Sequence, residues 1–594
     1  MSDLAYPRPQ MQRSNWLSLN GEWNFCFDHE QKFRIPSQVH DWSAKIQVPY
    51  APECSRSGIN DTGFHRACWY EREFDYPLPE SGRVLLHFGA VDYIAQVWVN
   101  GMLVMKHMGG HTPFYADITS ALSTSRRQKV TVLAEDDPED LEKPRGKQDW
   151  KEEPHSIWYY RTTGIWQTVW IENVPDTYIN HIRWSPHLER WEIGCEVFFS
   201  GPILPDMKVK VIMSRGDQLL VEDNYRVLGD EMHRRIALSD PGIEDFRNDL
   251  LWTPERPTLI DVTLRLMQGD EVLDEIYSYS AMRSVKVHRD RFLLNGRPYQ
   301  LRMVLDQGYW PDTLMTPPSD DALRKDVDLV KAMGFNGVRK HQKIEDPRYL
   351  YWADRQGLLV WEEMPSAYRF TTRSIKRLMR EWMEAIERDY SHPCIITWVP
   401  FNESWGVPDL NATQAHRDAV HAFFHLTKTM DPTRPVIGND GWESSATDII
   451  GIHDYDGNPV TLRERYGAQV KPEEMFDRRR PGGRMLTLDG YPHRGQPIIL
   501  TEFGGIAYVK PGDPLYQEAW GYNRRDDIRE FEKQVLSLIE VACTIGMFCG
   551  FCYTQFCDTF QEANGLLYAD RTPKLPLERI AKSVNVYPFD THFV

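Results

Sequence analysis

The chain has 594 residues, 41% of them hydrophobic, and its 69 basic and 86 acidic side chains leave a net charge of −17. That length asks for about two to four domains. The acidic balance argues against a nucleic-acid surface and against docking on an anionic membrane.

The amino terminus, Met1-Ser2-Asp3-Leu4-Ala5-Tyr6-Pro7-Arg8, carries no apolar signal core. No stretch approaches the roughly 18 apolar residues of a spanning helix. The nine cysteines follow no metal-finger spacing, and Cys549, Cys552 and Cys557 sit in an apolar run that reads as buried thiols. A cytoplasmic chain with reduced cysteines is expected. The 20 Trp, 27 Tyr and 25 Phe suit stacking on sugar C–H faces, and equally suit β-sandwich cores.

Residues 1–175 are short alternating segments, such as Val84 to Phe88, Ile94 to Val99 and Thr168 to Ile171, with Asn100-Gly101 as a hairpin turn. They predict an all-β jelly-roll sandwich. Residues 176–284 repeat the β pattern in Cys195 to Phe199, Lys208 to Ile212 and Thr258 to Leu264. About seven strands in roughly a hundred residues predict an immunoglobulin-like sandwich.

From about Ser284 the pattern changes to alternating helix and strand. Ser319 can cap a helix carrying Leu323, Val327 and Val330 and ended by Gly334. Strands are expected at Gln300 to Leu305, Asn336 to Lys340, Leu358 to Trp361, Ile395 to Val399, Val436 to Gly438, Ile449 to Ile452, Ile498 to Thr501 and Met547 to Tyr553. Eight strands between helices predict a (β/α)8 TIM barrel over residues 285–594. A doubly wound open sheet is the alternative, but no Gly-rich phosphate loop follows the first strand.

Glu403 ends the fourth of these strands and Glu502 the seventh. A barrel of about 250 residues spends roughly 31 per strand–helix unit, so three units take about 94, close to the roughly 99 that separate the two glutamates. Both then face the C-terminal mouth, where carboxyl groups on opposing strands can approach to about 5 Å, the geometry of a retaining glycosidase. One carboxyl must be protonated to serve the leaving oxygen and the other ionised to attack the anomeric carbon. Taken singly, either glutamate could be a strand-end residue paired with a base.

Further candidates for contacts with a sugar are Asn402, His341, His453, Tyr455, Asp306, Glu363, Trp405, Tyr553 and Asp558, all at or just beyond strand ends. Asn402 could bind a sugar 2-hydroxyl, and Tyr455 could donate to Glu502. The alternative for each is packing or loop capping. Arg478-Arg479-Arg480 reads as a solvated charge run or as a contact for an acidic sugar. His341, Asp454 and Glu403 match no helix-borne metal motif, so neither a metal nor another cofactor is expected.

Several segments then carry a resemblance. Trp158 to Trp170 is similar to a sugar-binding-domain signature, and Leu251 to Glu255 to the late part of an immunoglobulin-like domain. Phe292 to Pro298 is similar to a barrel entry. Val399 to Gly406 resembles an acid/base motif and Leu500 to Gly505 a nucleophile motif. Tyr553-Thr554-Gln555, Asn564-Gly565-Leu566, Asp570-Arg571 and Pro573-Lys574 resemble a closing segment. In this order they resemble glycoside hydrolase family 2, the β-galactosidase, β-glucuronidase and β-mannosidase family, over nearly the whole chain.

The resemblance implies a retaining exo-β-glycosidase with Glu403 as acid/base and Glu502 as nucleophile. Two features depart from the family pattern. Arg339-Lys340-His341 is one residue shorter than the usual Arg-x-Ser-His, and Gln561 to Leu566 lacks the lysine of the glucuronidase Asn-x-Lys clamp. A β-galactoside or related neutral sugar is therefore the expected substrate, with a glucuronidase, mannosidase or arabinosidase as alternatives. A non-catalytic carbohydrate-binding protein and an inverting glycosidase are the rivals. The expected partner is an oligosaccharide or glycoside, with no nucleic acid and no membrane; a homo-oligomer is left open.

Overall fold

The computed structural model describes residues 5–238, 249–476, 483–513 and 516–586. The first part is a sandwich of antiparallel sheets. One sheet runs Trp16–Ser18, Val169–Val174, Arg83–Phe88, Phe114–Asp117. The other runs Ala44–Val48, Gly21–Phe27, Ala67–Asp75, Arg127–Glu135, Ile94–Val99, Met102–Met108. Trp23, Phe25, Tyr70, Leu86, Val97 and Ile171 fill the space between them. Asn100-Gly101 makes the two-residue turn between the last two strands.

A second sandwich follows. The sheet Tyr178–His187, Glu192–Ser200, Glu231–Ala237 faces the sheet Gln218–Arg226, Met207–Arg215, Ile260–Gln268, Glu271–Ser280. Alternation along Met207–Arg215 sends Met207, Val209, Val211 and Met213 inward.

The last part is a parallel barrel. Its strands are β1 (Leu301–Asp306), β2 (Gly337–Lys340), β3 (Leu359–Glu363), β4 (Ile395–Val399), β5 (Ile450–Asp454), β6 (Ile498–Gly504) and β7 (Phe548–Thr554), in the spatial order β4-β3-β2-β1-β7-β6-β5. Strands β2 to β6 are buried throughout, as strands covered on both faces must be.

The eighth place belongs to residues 435–440, expected from the sequence as a regular strand. They contribute isolated bridges instead, with Ile437 N donating to Trp398 O (3.0 Å) and Glu403 N to Asp440 O (2.9 Å). Their other edge is occupied locally: Asp448 N bonds Val436 O at 2.8 Å, so no regular ladder reaches β5.

The helix Asp320–Ala332 is capped by Ser319, whose hydroxyl accepts from Ala322 N at 3.1 Å. It buries Leu323, Val327 and Val330, each worth about 1.5–3 kcal/mol relative to exposure. The helix Pro347–Gln356 stops at Gly357, whose φ is +74° and where a Cβ would lie 2.5 Å from Pro254 O. That close approach and the bond from Trp252 Nε1 to Asp354 O (2.8 Å) seat the second sandwich on the barrel.

The first sandwich docks at the barrel mouth. Arg145 N and Gly146 N both donate to Ser366 O at 3.0 Å, and the Tyr368 hydroxyl donates to Gly146 O at 2.6 Å. The Arg145 guanidinium binds the carbonyls of Pro138, Asp140, Gln148 and Asp149, which holds the loop's shape. Lys147 is thereby fixed over the mouth. All nine cysteines are buried and unbridged. Among the described residues, no helix is long and apolar enough to cross a membrane.

Candidate active site

Glu403 and Glu502 meet at the C-terminal mouth of the barrel. One ligand atom each from Glu403, His453 and Glu502 lies within 4.8 Å of the other two. Glu403 follows β4 in a loop where Glu403 and Ser404 have φ of +52° and +59°. Two consecutive left-handed residues other than glycine cost of order 1–3 kcal/mol each. Asp440 and Asn439 hold them: Glu403 N bonds Asp440 O, and Ser404 N bonds Asn439 Oδ1, both at 2.9 Å. The strained turn aims Glu403 across the mouth toward Glu502 on β6.

Glu502 is clamped from two sides. Arg339 Nη1 lies 3.1 Å from its Oε1, and the Tyr455 hydroxyl donates to its Oε2 at 2.5 Å. Tyr455 is stacked on Tyr522 with ring centroids 3.5 Å apart, which fixes the hydroxyl's direction. Arg339 also binds Asp440 Oδ2 at 2.7 Å, Asn402 Oδ1 at 2.6 Å, Thr501 O at 3.0 Å and the Glu363 carboxylate.

His453 stands behind both glutamates. Its Nδ1 is 2.7 Å from Glu403 Oε1 and 3.4 Å from Glu502 Oε2, and its Nε2 is 3.0 Å from Asp440 Oδ2. The ring rests on Gly441, where a Cβ would lie 2.6 Å from Nδ1.

Burial raises the proton affinity of the Glu403 carboxyl, but the hydrogen bond and charge of His453 outweigh it and hold the pKa below the ordinary value. For Asp440, burial is overcome by Arg339 and His453, and the pKa falls to about 2. For Glu363, burial is overcome by Arg339 and His341, again lowering the pKa. Burial also raises the Tyr455 phenol, and the adjacent Glu502 raises it further, so Tyr455 stays a donor.

The cavity around the pair holds about 310 Å³ of empty space. Larger cavities, with about 1340 and 1540 Å³ of empty space, lie at the domain junctions around Arg8 and Arg283. Volume alone therefore does not mark the chemistry.

Of the residues singled out from sequence, Glu403, Glu502, Asn402, His341, Tyr455 and Trp405 line the small cavity. His341 gives its Nδ1 to Glu363 Oε2 at 2.9 Å, and Trp405 packs edge-on against Trp158 at 5.6 Å. The others stand back from it. Asp306 pairs with Lys340 at 2.6 Å, Glu363 serves Arg339 and His341, and Asp558 pairs with Lys574 at 2.6 Å. Tyr553 packs beneath Gly504. Asp454 turns away to Arg465 and Tyr466, so the imagined set His341, Asp454 and Glu403 does not converge. Glu403, His453 and Glu502 are close enough for a cation, but Glu403 and His453 already share a hydrogen bond, and Glu502 accepts from Tyr455. Arg478-Arg479-Arg480 lies outside the described residues.

The sequence reading passed over Lys147, Ile157, Gln307, Gln342, Tyr522 and Glu562 in the lining, and Arg339 and Asp440 beneath it. Asp440 follows a predicted strand just as Glu403 does, so the same logic could have found it. Lys147 and Ile157 arrive from the first sandwich and carry no local signal.

The family description "Glycosyl hydrolases family 2, TIM barrel domain" matches residues 285–587, and "Glycosyl hydrolases family 2, sugar binding domain" matches residues 59–175. A β-galactosidase of Thermoanaerobacter pseudethanolicus is 28% identical over 405 residues, covering 66% of this chain and 51% of that protein. This chain therefore spans about half the length of that relative. A β-glucuronidase of Rattus norvegicus is 24% identical over 547 residues, covering 82% of this chain and 77% of that one. The solved apo structure of a β-glucuronidase from Ruminococcus gnavus aligns with a TM-score of 0.76 at 20% identity, over 98% of this chain and 100% of that one. That likeness speaks for the fold. With the barrel match alone spanning half of its length, the chain belongs to glycosyl hydrolase family 2 and is a glycoside hydrolase.

Proposed function

We propose that this protein is a retaining exo-β-glycosidase that removes one terminal β-linked sugar by double displacement. The observation that carries the reading is the approach of Glu403 and Glu502, with oxygens within 4.8 Å. Retaining enzymes set their carboxyl groups about 5–5.5 Å apart, whereas inverting ones need about 6.5–9.5 Å to admit a water. Glu502, held in place by Arg339 and Tyr455, is the nucleophile. Glu403, the more exposed of the two, is the acid and then the base. Asn402 commits Oδ1 to Arg339 and keeps Nδ2 for a sugar hydroxyl.

For the sugar itself, a neutral hexoside such as a β-galactoside is favoured, because Glu562 in the lining would repel a substrate carboxylate. A uronoside is the second reading. It is favoured by Lys147, which lies in the same lining and makes no ion pair among the described residues, and by the relatives named β-glucuronidase.

Glu502→Gln should abolish turnover of p-nitrophenyl β-glycosides, with a loss of about 10⁴-fold or more. Glu403→Ala should lose hydrolysis of poor leaving groups and recover with azide on an activated substrate. Full activity in either variant refutes the assignment. A panel of galactosides, glucuronides, mannosides and arabinosides then separates the two substrate readings.

A further inference from the structure

His453 does not line the cavity, yet it touches both glutamates, and each of its ring nitrogens faces a carboxylate. Nδ1 faces Glu403 Oε1 at 2.7 Å and Nε2 faces Asp440 Oδ2 at 3.0 Å. A neutral imidazole has one N–H and cannot donate to two carboxylates; the imidazolium can. The ring has no freedom to choose otherwise, being seated on Gly441 with Trp442 edge-on at 5.5 Å. One proton thus lies between His453 and Glu403.

We propose that His453 stores the proton that Glu403 delivers, and that the charge on Glu502 governs where that proton sits. The proposal rests on the reading of Glu403 as acid/base and Glu502 as nucleophile. In the resting site the proton is on His453 Nδ1 and the Glu403 carboxyl is anionic. As Glu502 attacks the anomeric carbon, its charge is consumed in the new C–O bond. The attraction that held the proton on His453, across 3.4 Å, is lost in the same step. The proton passes to the Glu403 carboxyl and on to the departing oxygen, which leaves as an alcohol. In the second step water attacks the anomeric carbon, Glu403 takes its proton, and the bond to Glu502 breaks. The regenerated Glu502 carboxylate draws that proton back to Nδ1. One water is consumed, and His453 ends as it began.

The surrounding charges fit this cycle. Glu403 faces the ring from the loop after β4, Asp440 from residues 435–440, Glu502 from β6 and Arg339 from β2, with Arg339 Nη1 3.4 Å from Nε2. Tyr455 and Glu363 reach it only through Glu502 and Arg339. Burial disfavours the imidazolium, but Glu502 first and Asp440 second raise its pKa to about 10. Glu502 is one of three carboxylates that face this ring, and it is the one whose charge the reaction removes. His453 acts through Glu403 and is a positioning residue.

The test uses His453→Asn and His453→Gln, which keep an amide N–H but cannot carry the charge. Both are assayed on aryl and alkyl glycosides of the sugar that the native protein hydrolyses. The expected result is a loss of about 100-fold or more on phenyl and methyl glycosides, with a loss below about 5-fold on the dinitrophenyl glycoside, which needs no acid. The alkaline limb of kcat/KM should also move at least about one pH unit lower. Equal losses across all leaving groups with an unmoved limb would make His453 structural and overturn the proposal, as would undiminished rates. Glu502→Gln is run beside them. If it keeps turning over, the assignment of the pair has failed; if it is inactive while the His453 variants show no leaving-group dependence, only the proton-store role has failed.

Discussion

Arg339 is the residue on which the geometry of the mouth depends most. Its guanidinium reaches Glu363, Asn402, Asp440, Thr501 O and Glu502 from one fully buried position. A lysine offers a point charge and cannot span five partners. Arg339→Lys should therefore fold but lose about 100-fold or more in kcat/KM, because Glu502 and Asn402 are no longer aligned. Arg339→Met leaves three buried carboxylates without their cation and should lose about 3–5 kcal/mol in urea unfolding. Equal activity in Arg339→Lys would show that the clamp is dispensable. The sequence drew attention to His341, the last of Arg339-Lys340-His341, since a histidine at a strand end looks like chemistry. A buried arginine within a short strand also has a signal, because its charge must be answered by several carboxylates nearby. Glu363, Asp440 and Glu502 answer it, each from a different segment of the barrel.

At the scale of elements, the loop after β4 turns a strand end toward the barrel mouth, where Glu403 is proposed to act. Glu403 and Ser404 sit in left-handed backbone that neither side chain favours, and Asn439 compensates. Its Oδ1 accepts from Ser404 N at 2.9 Å, and its Nδ2 donates to Trp442 O at 2.8 Å. Asn439→Ala should cost about 1–3 kcal/mol in thermal unfolding by leaving these buried groups unpaired. It should also slow poor leaving groups more than activated ones, because Glu403 is what the loop aims. A variant with normal stability and an unchanged leaving-group profile would contradict this account.

The placing of Glu403 and Glu502 at one barrel mouth was legible because apolar strand runs and unit spacing are properties of composition and length. The left-handed pair was not, because Glu and Ser have no marked preference for that backbone. The strand expected at Val436 to Gly438 was legible in place but not in form. Its return partner, residues 446–448, competes for the same backbone groups, a tertiary effect that a run of apolar residues does not encode.

At the scale of the whole molecule, the first sandwich completes the cavity with Lys147 and meets the barrel through buried acids. Both are contacts between residues far apart in sequence, which a local pattern of strands and turns does not encode. Glu381, on the barrel helix Thr372–Asp389, accepts from Gly110 N at 3.0 Å and His111 N at 3.2 Å in the sandwich. Burial first, and then the charges of Asp92 and Glu384, raise its pKa from 4.5 to about 8. A group that binds its proton more tightly when folded contributes stability in full below its unfolded pKa and loses it as pH rises through the folded one. Glu381 should therefore stabilise the junction below about pH 4.5 and cease to do so by about pH 8. Asp92 and Glu53, each raised to about 7 chiefly by burial, push in the same direction. Asp440, lowered to about 2, acts oppositely and only in acid, where its contribution is lost as pH falls from about 4 toward 2. His87, His107, His111 and His181, lowered to about 3 or 4 chiefly by burial, act the other way below about pH 6.5, so the share of Glu381 is read from a variant beside the native protein. Glu381→Gln keeps an acceptor for both backbone N–H groups and has no proton to lose. It should match the native protein at pH 5 and melt about 2–4 °C higher at pH 8. A difference of the same size at both pH values would mean that shape, and not the proton on Glu381, sets the strength of this junction.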